Sequence, residues 1–212
     1  MRKPVHSRPL TMASGSPTSP VQFRSINVNQ VYVHVRAEVY YKVIDLLSSL
    51  YRHQAWADQA ILEAVQAHSE SLRDQELFKI LHHIVTVQRF FLSCCLQRPF
   101  DKEKAAQLPE SFEQLVQLFR NTHTEELAFI DGLTETELKR RFELSFLGSR
   151  PTVAEGLTQA VMHSQNHRGQ CLTRIRMNGG KPPTLDYILW ASKHLADSTP
   201  YRGAASDESA RA

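Results

Sequence analysis

The sequence predicts an all-α protein built as a four-helix bundle. Its apolar residues recur every three or four positions through most of the chain, which is the period of an amphipathic helix. The 212 residues include 8 glycines and 10 prolines, about 8% of the chain against an average near 12%. So few helix-breaking residues favour long helices over an all-β fold. A chain of this length is expected to form one domain with a sizeable core.

Capping signals locate the helix ends. We expect one helix over residues 38–65 and a second from Ser71 to Pro99. A third is expected to start at Ser111, with Gln114 three residues on, and a short one at Thr134, with Glu137 three residues on. A further long helix is expected from Thr152 to the stop at Asn178-Gly179-Gly180. Thr152 followed by Glu155 is a clean capping box. A further short helix is expected from Thr184 through Trp190, and the alternation in residues 142–148 predicts extended chain.

The two ends of the chain differ in composition from the bundle. Residues 1–37 contain no acidic residue and are rich in Pro, Ser and Arg, whereas residues 198–212 are mostly Ser, Thr, Gly, Ala and charged residues. We expect a disordered leader at 1–37, a domain at 38–197 and a disordered tail at 198–212. The leader also has the composition of a transit peptide, and Met12 is an alternative start. Residues 31–35 alternate and predict a short strand.

Composition excludes several functional classes. The formal charge of +3 is too small to be the electrostatic footprint of a nucleic-acid-binding protein. The cysteines, Cys94, Cys95 and Cys171, lack C-x-x-C spacing and are odd in number, which fits a reducing compartment and a cytoplasmic location. No apolar run reaches the ~18 residues of a membrane span. We therefore expect no nucleic-acid and no membrane partner.

Histidines carry the strongest functional signal in the sequence. His163 and His167 are four residues apart, so they lie about 40° apart on one face of the predicted fourth helix. Two imidazoles one turn apart can bind a single metal ion, and His82 or His83 in the second helix can supply a third from an apolar stripe that faces the core. Three protein ligands leave a coordination position open for chemistry. A plain bundle with incidental histidines is the alternative.

Residues around this site have expected roles as well. Gln170 is placed to orient the ring of His167, and Arg168 is expected to meet a carboxylate, for which Asp186 is the candidate. Cys171 is expected to be an ordinary buried cysteine rather than part of a pocket.

Other histidines are expected at the surface. His123, with Glu125 and Glu126, is interpreted as part of a solvated acidic face, with a fourth set of ligands as the alternative. The remaining histidines without a spacing partner are also expected at the surface: His53, His68 and His194.

Four stretches of the chain resemble the DinB/YfiT-like family of four-helix-bundle proteins. Residues 51–58 are similar to its first-helix Y-x-x-W-A-N/D segment, and residues 83–91 to the second-helix stretch that begins with a ligand histidine. Residues 163–170 resemble its H-x-x-x-H-R-G-Q motif, and residues 182–190 its closing P-x-x-D segment. The stretches occur in the family's order. The H-x-x-x-H-R-G-Q motif is the most specific of them.

The resemblance implies a ligand set and a class of activity. It implies that His83, His163 and His167 bind a divalent metal cation, with zinc, nickel and iron not distinguished. Some relatives are thiol S-transferases that join a low-molecular-weight thiol to an electrophile, others resemble hydrolases, and members are described as stress- or damage-associated. The implied partners are a small-molecule substrate and a second copy of the chain in a homodimer. A non-catalytic metal-binding protein with a structural or interaction role is the alternative.

Overall fold

The structure is a computed structural model that describes residues 28–194, with side chains from residue 43 onward, so both predicted tails lie largely outside the described residues. The helices are α1 (Val28–Gln66), α2 (Ser69–Arg73), α3 (Gln75–Cys95), α4 (Lys102–Ala106), α5 (Phe112–Asp131), α6 (Glu135–Lys139), α7 (Val153–Met177) and α8 (Tyr187–His194). The predicted all-α class is confirmed. No helix in the described range is long and apolar enough to cross a membrane.

Most predicted helix starts are confirmed by their hydrogen bonds. The side chains of Ser111 and Thr134 accept bonds from the backbone amides three residues on. Thr152 and Glu155 form the reciprocal capping box expected at the start of α7. The prediction of Ser71 as the cap of the second long helix is wrong, because Ser71 lies inside α2. Asp74 caps α3 instead and accepts bonds from two backbone amides.

The structure differs from the sequence-based expectations at four further places. Residues 31–35 lie in α1, which begins at Val28, so the predicted short strand is wrong and the helix starts ten residues before the predicted domain boundary. The final helix begins at Tyr187 rather than Thr184. The extended stretch at 142–148 is present in part: Leu144 and Ser149 form an isolated antiparallel bridge around a 3-10 turn, Ser145–Leu147.

The long helices α1, α3, α5 and α7 form the bundle. α1 and α3 each pack against both α5 and α7, and the contact between α3 and α7 is the most extensive. α8 packs on α1, where the hydroxyls of Ser49 and Tyr187 lie 2.6 Å apart. The two helices with the most extensive contact, α3 and α7, therefore border the groove in which the predicted metal ligands lie.

The apolar core is divided into two clusters, one towards each end of the bundle. The first is built around Ile61, Leu81, Phe119 and Ile175, and the second around Tyr51, Phe91, Ile130, Leu157 and other buried residues. On each long helix, buried polar residues lie between the two clusters: Gln54 and Asp58 on α1, Gln88 on α3, Thr122 and Glu126 on α5, Ser164 and Arg168 on α7. A polar layer thus crosses the middle of the bundle.

Candidate metal centre

Three histidine rings meet in the groove between α3 and α7. One ligand atom from each of His83, His163 and His167 lies within 4.8 Å of the other two. The Nε2 atoms of His83 and His163 are 3.2 Å apart. The centroid of the His167 ring lies 4.8 Å from the centroid of the His83 ring and 4.5 Å from that of the His163 ring. The helical spacing of His163 and His167 and the close packing of α3 on α7 together produce this convergence.

The cluster lies at the rim of the bundle and not in its core. His83 is exposed, whereas His163 and His167 are half-buried. The neighbouring His82 is 7% exposed and its Nε2 lies 3.4 Å from the hydroxyl of Thr86, away from the cluster. The expectation that His83 faces the core is therefore wrong, although it is His83 that joins the other two rings.

Burial and the neighbouring rings lower the pKa of two of the three histidines. Burial, with contributions from His167 and His83, lowers the pKa of His163 to about 4. Burial and the nearby His167 also lower the pKa of His83. A neutral imidazole presents a lone pair, which is the form that binds a metal ion. The electrostatics of the groove therefore favour the uncharged, metal-binding form of His83 and His163.

One ring is oriented by a neighbour, as the sequence predicts. Nδ1–H of His167 donates to Oε1 of Gln170 at 2.9 Å, which leaves Nε2 of His167 free to act as a ligand. Nδ1 of His163 is buried, with no hydrogen-bond partner among the described residues. The orienting contact is thus present for His167.

The donor set fits a divalent transition-metal cation. Two nitrogens bound at 2.0–2.1 Å to one tetrahedral ion lie about 3.4 Å apart, close to the 3.2 Å that separates His83 from His163. Imidazole suits zinc, nickel, iron and copper. In the described part of the chain the cluster contains three ligands, so a bound ion would retain a position for another molecule.

A buried carboxylate ties the ligand helices together. Asp58 of α1 is 1% exposed and accepts three hydrogen bonds: from Nε of Arg168 at 2.7 Å, Nε2 of Gln88 at 2.8 Å and Nε2 of His123 at 3.0 Å. Nε2 of Gln88 also donates to the hydroxyl of Ser164 at 3.1 Å. We call these five residues the Asp58 network. It contains one or more residues from each of the four long helices.

Charge stabilises the ionised form of Asp58. Burial alone would raise its pKa, but Arg168 and His123 outweigh burial and lower that pKa to about 2. The predicted partner of Arg168, Asp186, is wrong: the guanidinium binds Asp58, which is 110 residues away in the sequence. A buried ion pair of this kind is costly to break, because the remaining charge is left without a partner.

Two cavities adjoin the histidine cluster. The larger, about 660 Å³, reaches His163. Its apolar walls come from α3 and the segment between α6 and α7: Val87, Phe90, Phe91, Leu144, Phe146, Leu147 and Pro151. The α7 side of this cavity is polar, with Glu155 and Gln159 beside His163. The smaller, about 280 Å³, reaches His83 and includes Phe100, Lys102 and Ala106. Val87, Phe90 and Phe146 line both. The cluster is therefore accessible from two apolar spaces.

The comparison with known families settles the kinship of this chain. The sequence profile of the DinB superfamily matches residues 49–171, more than half of the chain and a range that includes all three clustered histidines. The chain belongs to the DinB superfamily. Comparisons with curated proteins and with solved structures gave no match.

Other histidines, an acidic residue and a cysteine of this DinB-superfamily chain are buried or half-buried in the structure. His123 and Glu126 do not form a solvated acidic face or a further ligand set: Glu126 is 2% exposed and His123 binds Asp58. His53 is buried rather than at the surface, and its Nε2–H donates to the carbonyl of Leu185. Cys171 is fully buried, and burial raises the pKa of its thiol to about 12, as expected of an inert core cysteine.

Sequence reasoning missed the Asp58 network. Asp58 is visible in the first-helix stretch that resembles the family, and Arg168 in the H-x-x-x-H-R-G-Q motif. A buried Asp and a buried Arg each need a partner of opposite charge. That requirement is the only signal by which the sequence could have indicated this pair.

Proposed function

We propose that this protein is a metal-dependent enzyme that transfers a low-molecular-weight thiol to an apolar electrophile. The observation that carries the proposal is the convergence of three imidazoles at the rim of two cavities. When bound there, a divalent cation would supply Lewis acidity that favours the thiolate form of a bound thiol. His83, His163 and His167 would hold that cation.

The two cavities support transfer between two organic molecules. Hydrolysis needs space for one organic substrate and water, whereas thiol transfer needs space for two substrates side by side. The larger cavity, with its apolar walls of Phe90, Leu144 and Phe146, would hold the apolar electrophile. The smaller cavity has Lys102 at its edge, and this cation suits the carboxylate that many small thiols carry. In the reaction a carbon–sulfur bond forms, the leaving group departs with its electron pair, and the thiol proton passes to solvent.

Ligand number distinguishes catalysis from a purely structural role. A structural metal site usually has four protein ligands, and this cluster provides three from the described residues. A hydrogen bond between two imidazoles would account for the 3.2 Å contact of His83 with His163, but it would not account for the third ring. These features favour the enzyme over a non-catalytic metal-binding protein.

Metal content tests the site directly. We expect about one equivalent of a divalent metal in the purified protein by elemental analysis, and its loss in His83→Ala, His163→Ala and His167→Ala. His82→Ala is the matched control, because this adjacent histidine is not one of the three clustered residues and its Nε2 lies beside the Thr86 hydroxyl, and it should retain the metal. Unchanged metal in all three variants would refute the site.

Activity tests the reaction. The metal-loaded protein would be mixed with glutathione, cysteine or coenzyme A and with 1-chloro-2,4-dinitrobenzene, and conjugate formation followed by absorbance. We expect metal-dependent conjugation that the His163→Ala variant lacks. Metal-dependent cleavage of p-nitrophenyl acetate without conjugation would support a hydrolase instead, and inactivity in both assays with metal retained would support the non-catalytic role.

A further inference from the structure

The part of α7 that carries two of the clustered histidines faces the core with polar side chains. Between Ala160 and Cys171, the buried residues of α7 are Ser164 and Arg168. Apolar packing therefore sets the orientation of α7 at its two ends, but along this middle stretch hydrogen bonds replace it. Each of the two buried polar residues directly follows a clustered histidine in the sequence.

Both residues are linked to the same carboxylate. Arg168 donates to Asp58 directly, and Ser164 accepts a hydrogen bond from Gln88, whose amide also donates to Asp58. Gln88 belongs to α3, the helix that carries His83. One side chain of α1 thus restrains both helices that supply the rings.

A small rotation would be enough to disrupt the cluster. An atom about 6 Å from the axis of a helix moves by about 1 Å when the helix turns by about 10°. Metal–ligand distances tolerate deviations of only about 0.2 Å. Metal binding therefore requires the orientation of α7 relative to α3 to be fixed far more precisely than apolar contacts at the two ends of α7 alone would fix it.

We propose that Asp58 is a positioning residue for the metal centre, which holds α3 and α7 in the register that brings His83, His163 and His167 together. The inference rests on the metal site proposed above. Among the described residues Asp58 makes no hydrogen bond to any of the three rings; its hydrogen-bond partners are Arg168, Gln88 and His123. Its effect on the metal would pass through the first two of these.

The test compares metal affinity with stability in full-length variants. Co²⁺ would be titrated into the metal-free protein, with its dissociation constant and the d–d absorption spectrum as readouts, and urea unfolding of the metal-free form measured in parallel. Asp58→Asn and Ser164→Ala interrupt the links to α7. Gln54→Met is the matched control, because Gln54 is a buried amide of the same layer that binds Glu126 of α5 and neither of the ligand helices.

We expect Asp58→Asn to weaken Co²⁺ binding by about 10- to 100-fold, the range typical of residues that orient metal ligands, and to change the absorption spectrum. Ser164→Ala should weaken binding to a smaller extent, and Gln54→Met should leave it unchanged even where it lowers stability.

Three outcomes would overturn the inference. Wild-type affinity in Asp58→Asn would do so, and so would an equal loss of affinity in Gln54→Met, since metal affinity would then follow overall stability. If Asp58→Asn does not fold, Ser164→Ala decides: reduced affinity supports the inference and unchanged affinity overturns it. Failure of the wild-type protein to bind Co²⁺ would instead remove the proposed metal site, and the inference with it.

Discussion

The buried carboxyl of Glu126 makes the stability of this protein depend on pH in a direction that can be worked out. Its side chain is 2% exposed, and its hydrogen bonds come from the amide of Gln54, 3.3 and 3.2 Å from the two carboxylate oxygens. Burial raises the pKa of Glu126 from its ordinary 4.5 to about 7, and the nearby negative charge of Asp58 adds to the effect.

The sign follows from the proton balance between the two states. Below pH 4.5 the carboxyl is protonated in both the folded and the unfolded chain. Between pH 4.5 and 7 the unfolded chain releases the proton while the folded chain retains it, so the free energy of unfolding falls as the pH rises. A shift of this size corresponds to about 3 kcal/mol, at about 1.4 kcal/mol per pKa unit. Above pH 7 the contribution is constant.

The substitution Glu126→Gln isolates this effect, because glutamine resembles the protonated acid in shape and cannot ionise. We expect urea unfolding to show the variant gaining about 3 kcal/mol relative to the wild-type protein between pH 4.5 and pH 8. Subtracting the unfolding free energy of one protein from that of the other at each pH removes the contribution of the histidines, because both proteins contain them. Glu125→Gln is the control, since Glu125 is exposed, and its difference from wild type should stay flat. A flat difference for Glu126→Gln as well would refute the reasoning.

Other predictions concern packing and capping. Gly156→Ala should destabilise the protein by about 1–3 kcal/mol, because the added Cβ would lie 2.6 and 2.8 Å from ring atoms of Phe142. The same change at Gly169, also in α7 but with open space around it, should stabilise the protein by about 1 kcal/mol. Thermal unfolding of the two variants is the measurement, and stability changes of the same sign at both positions would contradict the packing argument. Asp74→Ala should cost about 2 kcal/mol, because it removes the cap of α3 together with two hydrogen bonds from Arg174 of α7, at 2.7 and 2.8 Å. Asp74→Asn, which can still cap the helix, should cost less by the same measurement, and equal losses would show that the cap contributes nothing.

Local signals in the sequence predicted the helices well. A cap depends on residues within three or four positions of one another, so Ser111, Thr134 and Thr152 could be read directly from the chain. Ser71 with Asp74 three residues on is a near capping box, and this spacing predicts Ser71 as the cap. In the folded protein Asp74 is itself the cap, and it also binds Arg174, which lies 100 residues away in the sequence and is invisible to local spacing.

The candidate site was predictable to the extent that its chemistry is local or resembles a family. Helical spacing alone paired His163 with His167, whereas the preference for His83 over His82 came from the resemblance. The burial of Asp58 and Glu126 could not be predicted in this way. It depends on partners on other helices, and no periodicity within one helix reveals which charged residue faces them.

The short turn between α6 and α7 separates two properties of the site. Its tip, closed by the bridge between Leu144 and Ser149, contributes Phe146 and Leu147 to the cavity walls but no histidine to the cluster. Under the proposed function, substitutions at this tip would change the shape of the cavity while the three rings and the Asp58 network stay in place. Selectivity for the organic substrate would then vary independently of the metal site.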